Sequence, residues 1–391
     1  MKIPSRPRFL PDAERRLDAA QRLLSRSTMA ASELLTALGT SQPTLSRTIH
    51  QIPDSFQFRV SGVRTPRYGI VRRLPGNLGG QQKVFRIDAH GSIAEVGTVC
   101  LLAGGETFLQ IGTTGRLYAG LPPAMAFAAP SGFLGRQAAH AGGEQPKFLA
   151  FTKDRGHVLV KFAALGTRMA ELLRMESLAL DCLRGVGVTS AATQLLEHDG
   201  FAYLEVERFD RVGRHGRVGL LSAGALDDEL FGHRDSWSQF AQRCESARIL
   251  NADQARRVHI MAAFSELIGN SDRHFENISL RLDAEGAVAD VAPAYDILPM
   301  KYAPIGAGVE PELEPIMPKL GPIGVRAGVW GVASSAALTF WERCRDDATL
   351  GLAEPMRAVA ARNFEAVRQF VTPLVPAHEA TARGSGSARG W

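Results

Sequence analysis

The chain has 391 residues, 45% of them apolar and 22% charged, with a formal net charge of +5; this suits two or three domains with proper cores and excludes a disordered chain. Its most apolar stretch, 120–133, is broken by Pro122, Pro123 and Pro130, which excludes a membrane span there. The four cysteines, Cys100, Cys182, Cys244 and Cys344, lack pairing or metal-ligand spacing, which excludes a disulfide framework and implies reduced thiols. Met1 to Arg6 lacks the apolar run of a signal peptide, so a cytoplasmic location is expected.

Residues 1–75 hold 13 Lys or Arg against 5 Asp or Glu, so the basic surplus belongs to the N-terminal fifth. Asp12 to Leu24 reads as a helix with Ala20, Leu23 and Leu24 on one face. Ala31 to Leu38 reads as a second, ended by Gly39 in a tight turn. Pro43 to Gln51 reads as a third, because Pro43 in the first turn has no intrahelical donor to lose and Leu45 and Ile49 share a face. Phe56 to Val60 and Tyr68 to Val71 alternate like a hairpin with a basic tip. This pattern predicts a small winged helix-turn-helix domain over 1–75. Gln42, Thr44, Ser46 and Arg47 are the candidates to face DNA, and Arg64 and Arg67 to meet phosphates.

A Gly-rich linker is expected over 74–82, followed by short strands at 84–87, 92–102 and 107–111. Residues 139–147 form a Gly-containing loop ahead of a strand at 148–151; the backbone amides of Gly142 and Gly143 are candidates to approach phosphates. His157 to Phe162 reads as the next strand, with Lys161 the one charge closing an apolar run. Arg168 to Leu183 reads as an amphipathic helix with Leu172, Met175, Ala179 and Leu183 as its buried stripe and Gly185 as its cap. Glu176 lies beside that stripe and is expected to reach Lys161, with Glu171 the fallback. A strand lysine paired with a helix glutamate over nucleotide phosphates is a kinase device. Phe201 to Phe209 is strand-like and runs into Asp210. Glu207, Arg208, Phe209 and Asp210 are the candidate adenine-binding segment.

The most informative segment is Asn270-Ser271-Asp272-Arg273-His274-Phe275-Glu276-Asn277, with Ala294-Tyr295-Asp296 downstream. Ala255 to Ile268 reads as a strong helix ended by Gly269, so Asp272 sits on a loop leaving a rigid helix end. There it can accept the proton of an attacking hydroxyl. His274 is placed to hydrogen-bond the loop or a neighbouring acid. Asn277 and Asp296 offer oxygen atoms, the ligand type magnesium prefers. A hairpin turned at 283–286 would return Asp296 to Asn277. The order Asp, Asn, Asp is the one kinases use.

These two segments, with Gly143 to Lys147, Val160-Lys161 and Val206 to Arg211, resemble the HipA-like serine/threonine kinase family, toxins of type II toxin–antitoxin systems, over roughly 84–370. The resemblance implies Asp272 as catalytic acid, Asn277 and Asp296 as Mg2+ ligands, Lys161 on the phosphates of ATP, and Glu207 and Phe209 at adenine. It further implies a protein substrate, plausibly a translation component, and an antitoxin partner. The position where some family members carry an autophosphorylated serine is His140 here, which leaves that self-inactivation an open question.

The last helices are expected at 336–344 and 354–371, followed by a disordered tail at 376–391. The expected fold is thus α+β: a two-lobed kinase-like body, N-terminal lobe 84–210 and helical lobe 211–375, preceded by the winged domain. Two alternatives stay open: a DNA-binding regulator whose kinase-like domain senses nucleotide, and a kinase acting on a small molecule.

Overall fold

The computed structural model describes residues 12–72, 80–120, 146–305 and 309–375, and they form a mixed α+β chain of two compact units. One unit takes the described residues up to Ile87 and from Ser92 to 120; the other takes Asp88–Gly91 and everything from 146 on.

In the first unit, α1 (Asp12–Arg26), α2 (Ala31–Leu38) and α3 (Gln42–His50) stand where the sequence places helices. They close on Leu24, Leu34, Leu45, Ile49 and Tyr68. Gly39 ends α2 at φ +56°, a left-handed position where glycine escapes the Cβ penalty. Short strands β1 (Met29–Ala30), β2 (Ser55–Phe58) and β3 (Arg67–Ile70) form a sheet ordered β1-β3-β2. Next comes an antiparallel meander, β4 (Gln81–Ile87), β5 (Ile93–Leu101), β6 (Thr107–Ile111) and β7 (Thr114–Tyr118).

The meander differs from expectation in its allegiance. It belongs to the N-terminal unit, packed on β2 and the connection that follows it, rather than joining the lobe expected from residue 84. Phe58 of β2 packs against Phe108 of β6, the rings tilted by 39° with centroids 4.5 Å apart, in one cluster with Cys100 and Leu102. The backbone N–H of Ser61 donates to the Gly115 carbonyl at 2.8 Å, and the Ser61 hydroxyl accepts from the Gly115 N–H. The Glu106 carboxylate accepts from the Thr28 backbone and hydroxyl. At Gly104 a Cβ would fall 2.1 Å from the Arg26 carbonyl, so only glycine fits there.

In the second unit, β8 (Lys147–Thr152), β9 (Gly156–Ala164), β10 (Thr193–His198) and β11 (Phe201–Glu207) make an antiparallel sheet ordered β10-β11-β9-β8. Helix α4 (Arg168–Gly185) packs against it, capped by the Thr167 hydroxyl on the Ala170 N–H. The sequence gives α4 one apolar stripe, but the helix is buried on more than one side. Ala170 and Leu173 face the sheet core, while Leu172, Met175, Ala179 and Leu183 enter the large helical core. The left-handed residue after α4 is Gly187, at φ +83°, and Gly185 is still helical.

The helical body follows: α5 (Ala223–Leu230), α6 (Trp237–Ser246), α7 (Ala252–Leu267), α8 (Ala327–Asp346) and α9 (Glu354–Val371). Its core centres on Phe240, Phe264, Trp330, Phe340 and Trp341. Helix α8 begins nine residues before the expected start at 336, running through Gly328 and Gly331. Burial of Val329 and Trp330, whose indole N–H bonds the Gly324 carbonyl at 2.9 Å, outweighs the poor helix propensity of glycine. A small sheet, β12 (Gly219–Ser222), β13 (Ser279–Leu282) and β14 (Val288–Val291), carries the expected hairpin, turned at Gly286 with φ +87°. Among the described residues no helix is long and apolar enough to cross a membrane. All four cysteines are free and buried.

Candidate active site

The site begins with one lysine. Strand alternation turns Leu159, Lys161 and Ala163 of β9 toward α4, so the only charge on that face is carried inward. Lys161 is 5% exposed and Glu176 is fully buried. Lys161 Nζ lies 2.7 Å from each oxygen of Glu176 and also contacts Asp296 Oδ1. The expected strand–helix pair is therefore formed, with a second acid added. Burial alone would depress the lysine, but Asp296 and Glu176 outweigh it and raise its pKa. Burial pushes Glu176 upward against the pull of Lys161. For Asp296, burial acts upward too, but Lys161, then Lys147 and His274, carry the carboxyl below its ordinary value.

Asp296 stands at φ +56°, a left-handed position tolerated by Asp but sparsely populated. Lys147 was not among the candidate site residues. It lies directly opposite Lys161 in the β8–β9 register, on the same sheet face. Like charges placed so repel unless anions lie near. The signal available in the sequence was its place at the head of β8, closing the Gly-containing loop. That loop, with Gly142, Gly143 and His140, lies outside the described residues.

The second component is the loop after α7. Gly269, at φ +74°, turns the chain beneath Ile316, where a Cβ would come within 2.8 Å of a methyl. The buried Asn270 accepts the Asp272 N–H on its side-chain oxygen at 3.0 Å, an Asx turn that presents Asp272. The Trp237 indole N–H donates to the His274 carbonyl at 3.0 Å, and Phe275 anchors the next turn against Phe240. Asp272 and His274 remain about half exposed. His274 stands between two acids: Nε2 lies 3.7 Å from Asp272 Oδ1, and Nδ1 lies 3.3 Å from Glu276 Oε2. Glu276 in turn meets Arg234 at 2.7 Å.

Asn277 is buried and donates its amide to the Asp272 carbonyl at 3.1 Å, which directs its oxygen the other way. The Tyr295 hydroxyl donates to the Glu276 carbonyl at 2.6 Å and accepts from Ser279 at 2.8 Å. This stitch joins the chain neighbours of Asn277 and Asp296. Asn270, Trp237 and the Tyr295 hydroxyl thus hold the loop, and sequence reasoning gave them no role. A cleft of about 730 Å³ opens beside Asp272 and His274, walled by Trp237, Met317, Lys319 and Pro322.

The expected adenine segment is only partly available. The Glu207 N–H bonds the Ala192 carbonyl at 2.8 Å; the Arg208 N–H and C=O engage His157 and Arg211. The Arg208 guanidinium grips both Asp210 oxygens at 2.6 Å, and these charges lock each other. Arg211 adds a second cation, so Asp210 is held below the usual carboxylate range although burial acts the other way. The Arg208 and Asp210 side chains thus close this turn. Phe209 packs on Tyr295 at 5.6 Å between centroids. Leu149, half exposed, lies on the same sheet face as Lys147 and Lys161.

In the first unit, Gln42, Ser46 and Arg47 are exposed on α3, and Thr44 is half-buried with its hydroxyl 3.1 Å from that of Ser41. Arg64 is exposed between β2 and β3. Arg67 corrects the expectation: it is not at the tip but turned inward. Its guanidinium donates to the Thr28 carbonyl at 2.8 Å and lies 3.9 Å from Glu33.

Comparison with known proteins gives the context. Residues 78–154 match the YjjJ-like toxin middle domain. Toxin YjjJ of Escherichia coli (strain K12) is 34% identical over 239 residues, 59% of this chain. The match spans 53% of that relative's length, about half of it. Among solved structures, Shewanella oneidensis HipA, from a complex with HipB and operator DNA, aligns at TM-score 0.40 and 17% identity, covering 58% of this chain and 63% of that one. The Helicobacter pylori proinflammatory kinase CtkA aligns at TM-score 0.41 and 11% identity, covering 58% and 89%. Residues 139–361, more than half of the chain and all of the site above, match the HipA-like C-terminal domain, and the chain belongs to the HipA-like family.

Proposed function

We propose that this chain is an ATP- and Mg2+-dependent protein serine/threonine kinase with a kinase-like fold, acting as a HipA-like toxin. The observation that carries the reading is Lys161 held between Glu176 and Asp296, with the Asp272 loop stitched alongside through Tyr295. Lys161 and Lys147 face the phosphates of ATP. Asp272 takes the proton of a Ser or Thr hydroxyl as its oxygen attacks the γ-phosphorus, and ADP leaves. His274 and Asn270 hold Asp272 in place. Asn277 and Asp296 would hold the metal. Two side-chain oxygens suit Mg2+, which keeps waters and takes phosphate oxygens for the rest of its shell. When bound, the ion would neutralise charge developing on the phosphates.

The N-terminal unit supports the winged helix-turn-helix reading through its short α2–α3 turn and the exposed Gln42, Ser46 and Arg47, beside a basic surplus. DNA is the partner this surface fits. An antitoxin is a further partner that membership of the HipA-like family supports.

Incubation with γ-labelled ATP, Mg2+ and a bacterial lysate tests the enzyme. Asp272→Ala is expected to lower transfer at least about a hundredfold without unfolding the protein. Transfer unchanged in Asp272→Ala overturns the assignment. Label found on a small metabolite instead of protein moves the reading to a small-molecule kinase.

A further inference from the structure

We infer that Glu266 is a positioning residue for the acceptor side of this site, an inference that rests on the phosphotransfer reading above. Glu266 is the penultimate residue of α7, and that last turn carries no basic residue. A carboxylate there faces the negative end of the helix dipole, so local chemistry disfavours it. Its contacts compensate. The side chain is 17% exposed, and each oxygen has a separate duty. Oε2 receives Arg273 Nη1 at 2.7 Å; Oε1 receives the backbone N–H of Lys319 at 2.9 Å.

Those two partners lie on two separate stretches of chain that wall the cleft beside Asp272. Arg273 stands between Asp272 and His274 in the loop. Lys319 lies in the irregular chain that enters the turn at Gly321–Ile323. One carboxylate therefore ties the wall carrying Asp272 to the wall carrying Met317 and Lys319. Besides Glu266 and Asp272, Asp235 lines this cleft; it is held by Arg243 at 2.6 Å and does not join the two stretches. Both Glu266 oxygens are engaged, so the residue serves as a clamp, not as a base. Releasing it lets the two walls part while Lys161, Glu176 and Asp296 keep their contacts. Acceptor binding should suffer and nucleotide binding should not.

The test uses the full chain, γ-labelled ATP, Mg2+ and an array of Ser- and Thr-containing peptides; the peptide best labelled by the unaltered protein becomes the probe. Glu266→Gln keeps an oxygen for the Lys319 N–H and loses the charge facing Arg273. Glu266→Ala loses both contacts. The acceptor KM should rise about tenfold in Glu266→Ala and less in Glu266→Gln, with the ATP KM unchanged. Arg273→Gln should match Glu266→Gln, and the double variant should be no worse than either, because they share one interaction. Should Glu266→Ala fail to fold, the two glutamine variants decide. Equal shifts of both KM values, a fall in kcat alone, or additive effects in the double variant overturn the inference. Labelling abolished by Asp272→Ala but untouched by every Glu266 variant overturns the inference alone. A protein that labels no peptide overturns the kinase reading as well.

Discussion

Charge is used differently in the two units. In the second, Lys161 and Glu176 are buried and paired, Lys161 also holds the part-exposed Asp296, and Arg208 grips Asp210. In the first, the exposed Arg47 reaches the Pro43 carbonyl and the Thr44 hydroxyl of its own helix, and Arg64 is exposed. Internal pairing fixes geometry, because a buried ion without its partner is costly. Exposed cations add little to the fold and stay free to meet an external anion. On the function proposed above, the contrast would separate a region that holds reacting groups from one that grips a polyanion.

The sharpest way to break this contrast is at Lys161. Lys161→Met leaves Glu176 buried without its cation and should cost about 3–5 kcal/mol, read by urea unfolding followed through tryptophan fluorescence. Adding Glu176→Leu removes the orphaned acid and should recover much of that loss, while phosphotransfer stays absent. A Lys161→Met protein as stable as the parent would show that the cluster does not hold the fold.

A second buried ionisable group sharpens the picture through pH. His259 in α7 is 3% exposed; Nδ1 lies 2.6 Å from the Ser238 hydroxyl, and Nε2 is buried without a partner among the described residues. Burial, helped by Arg326, pushes its pKa down from 6.5 to about 4. Between those values the unfolded chain binds a proton that the folded chain refuses. Stability is therefore full above about pH 6.5, falls as the pH drops toward 4, and levels below that, with a total of roughly 3 kcal/mol at most. Asp210, Asp227 and Asp290 have lowered pKa values, so their contribution is lost only below their ordinary 3.8, outside this window. In His259→Gln the fall in stability between pH 6.5 and 4 should be lost. A parent protein equally stable at pH 7 and pH 5 would count against the assignment.

How much of this was legible beforehand follows from the physics of each element. The Lys161–Glu176 contact can be read from period: a lone charge on an apolar strand and an acid beside a helical stripe must meet if strand and helix pack. The hairpin after Asn277 is legible because Asp283 to Gly286 is turn chemistry. Three things escaped. The allegiance of the meander depends on Phe58 against Phe108 and on Gly104 beneath Arg26, long-range matches that no local pattern reports. The stitch from Tyr295 to Glu276 joins residues on two elements whose register only the fold fixes. The inward turn of Arg67 was hidden because strand β3 begins at that residue and aims its side chain at Thr28.

Arg67 supplies the finest test of the contrast, since it is a cation of the first unit used in the manner of the second. Arg67→Ala removes charge-assisted bonds to the Thr28 carbonyl and should cost about 1–2 kcal/mol of stability. Arg47→Ala and Arg64→Ala should each stay within about 0.5 kcal/mol of the parent. Binding to a mixed-sequence DNA duplex, measured over a range of salt, should show the reverse order. Each exposed arginine that meets a phosphate should lower the slope of log affinity against log salt by about 1, whereas Arg67→Ala at a temperature where it remains folded should leave the slope unchanged. A slope reduced by Arg67→Ala and untouched by the other two would mean that α3 and the β2–β3 connection do not form the DNA-facing side. In that case the inward arginine must release Thr28 to bind.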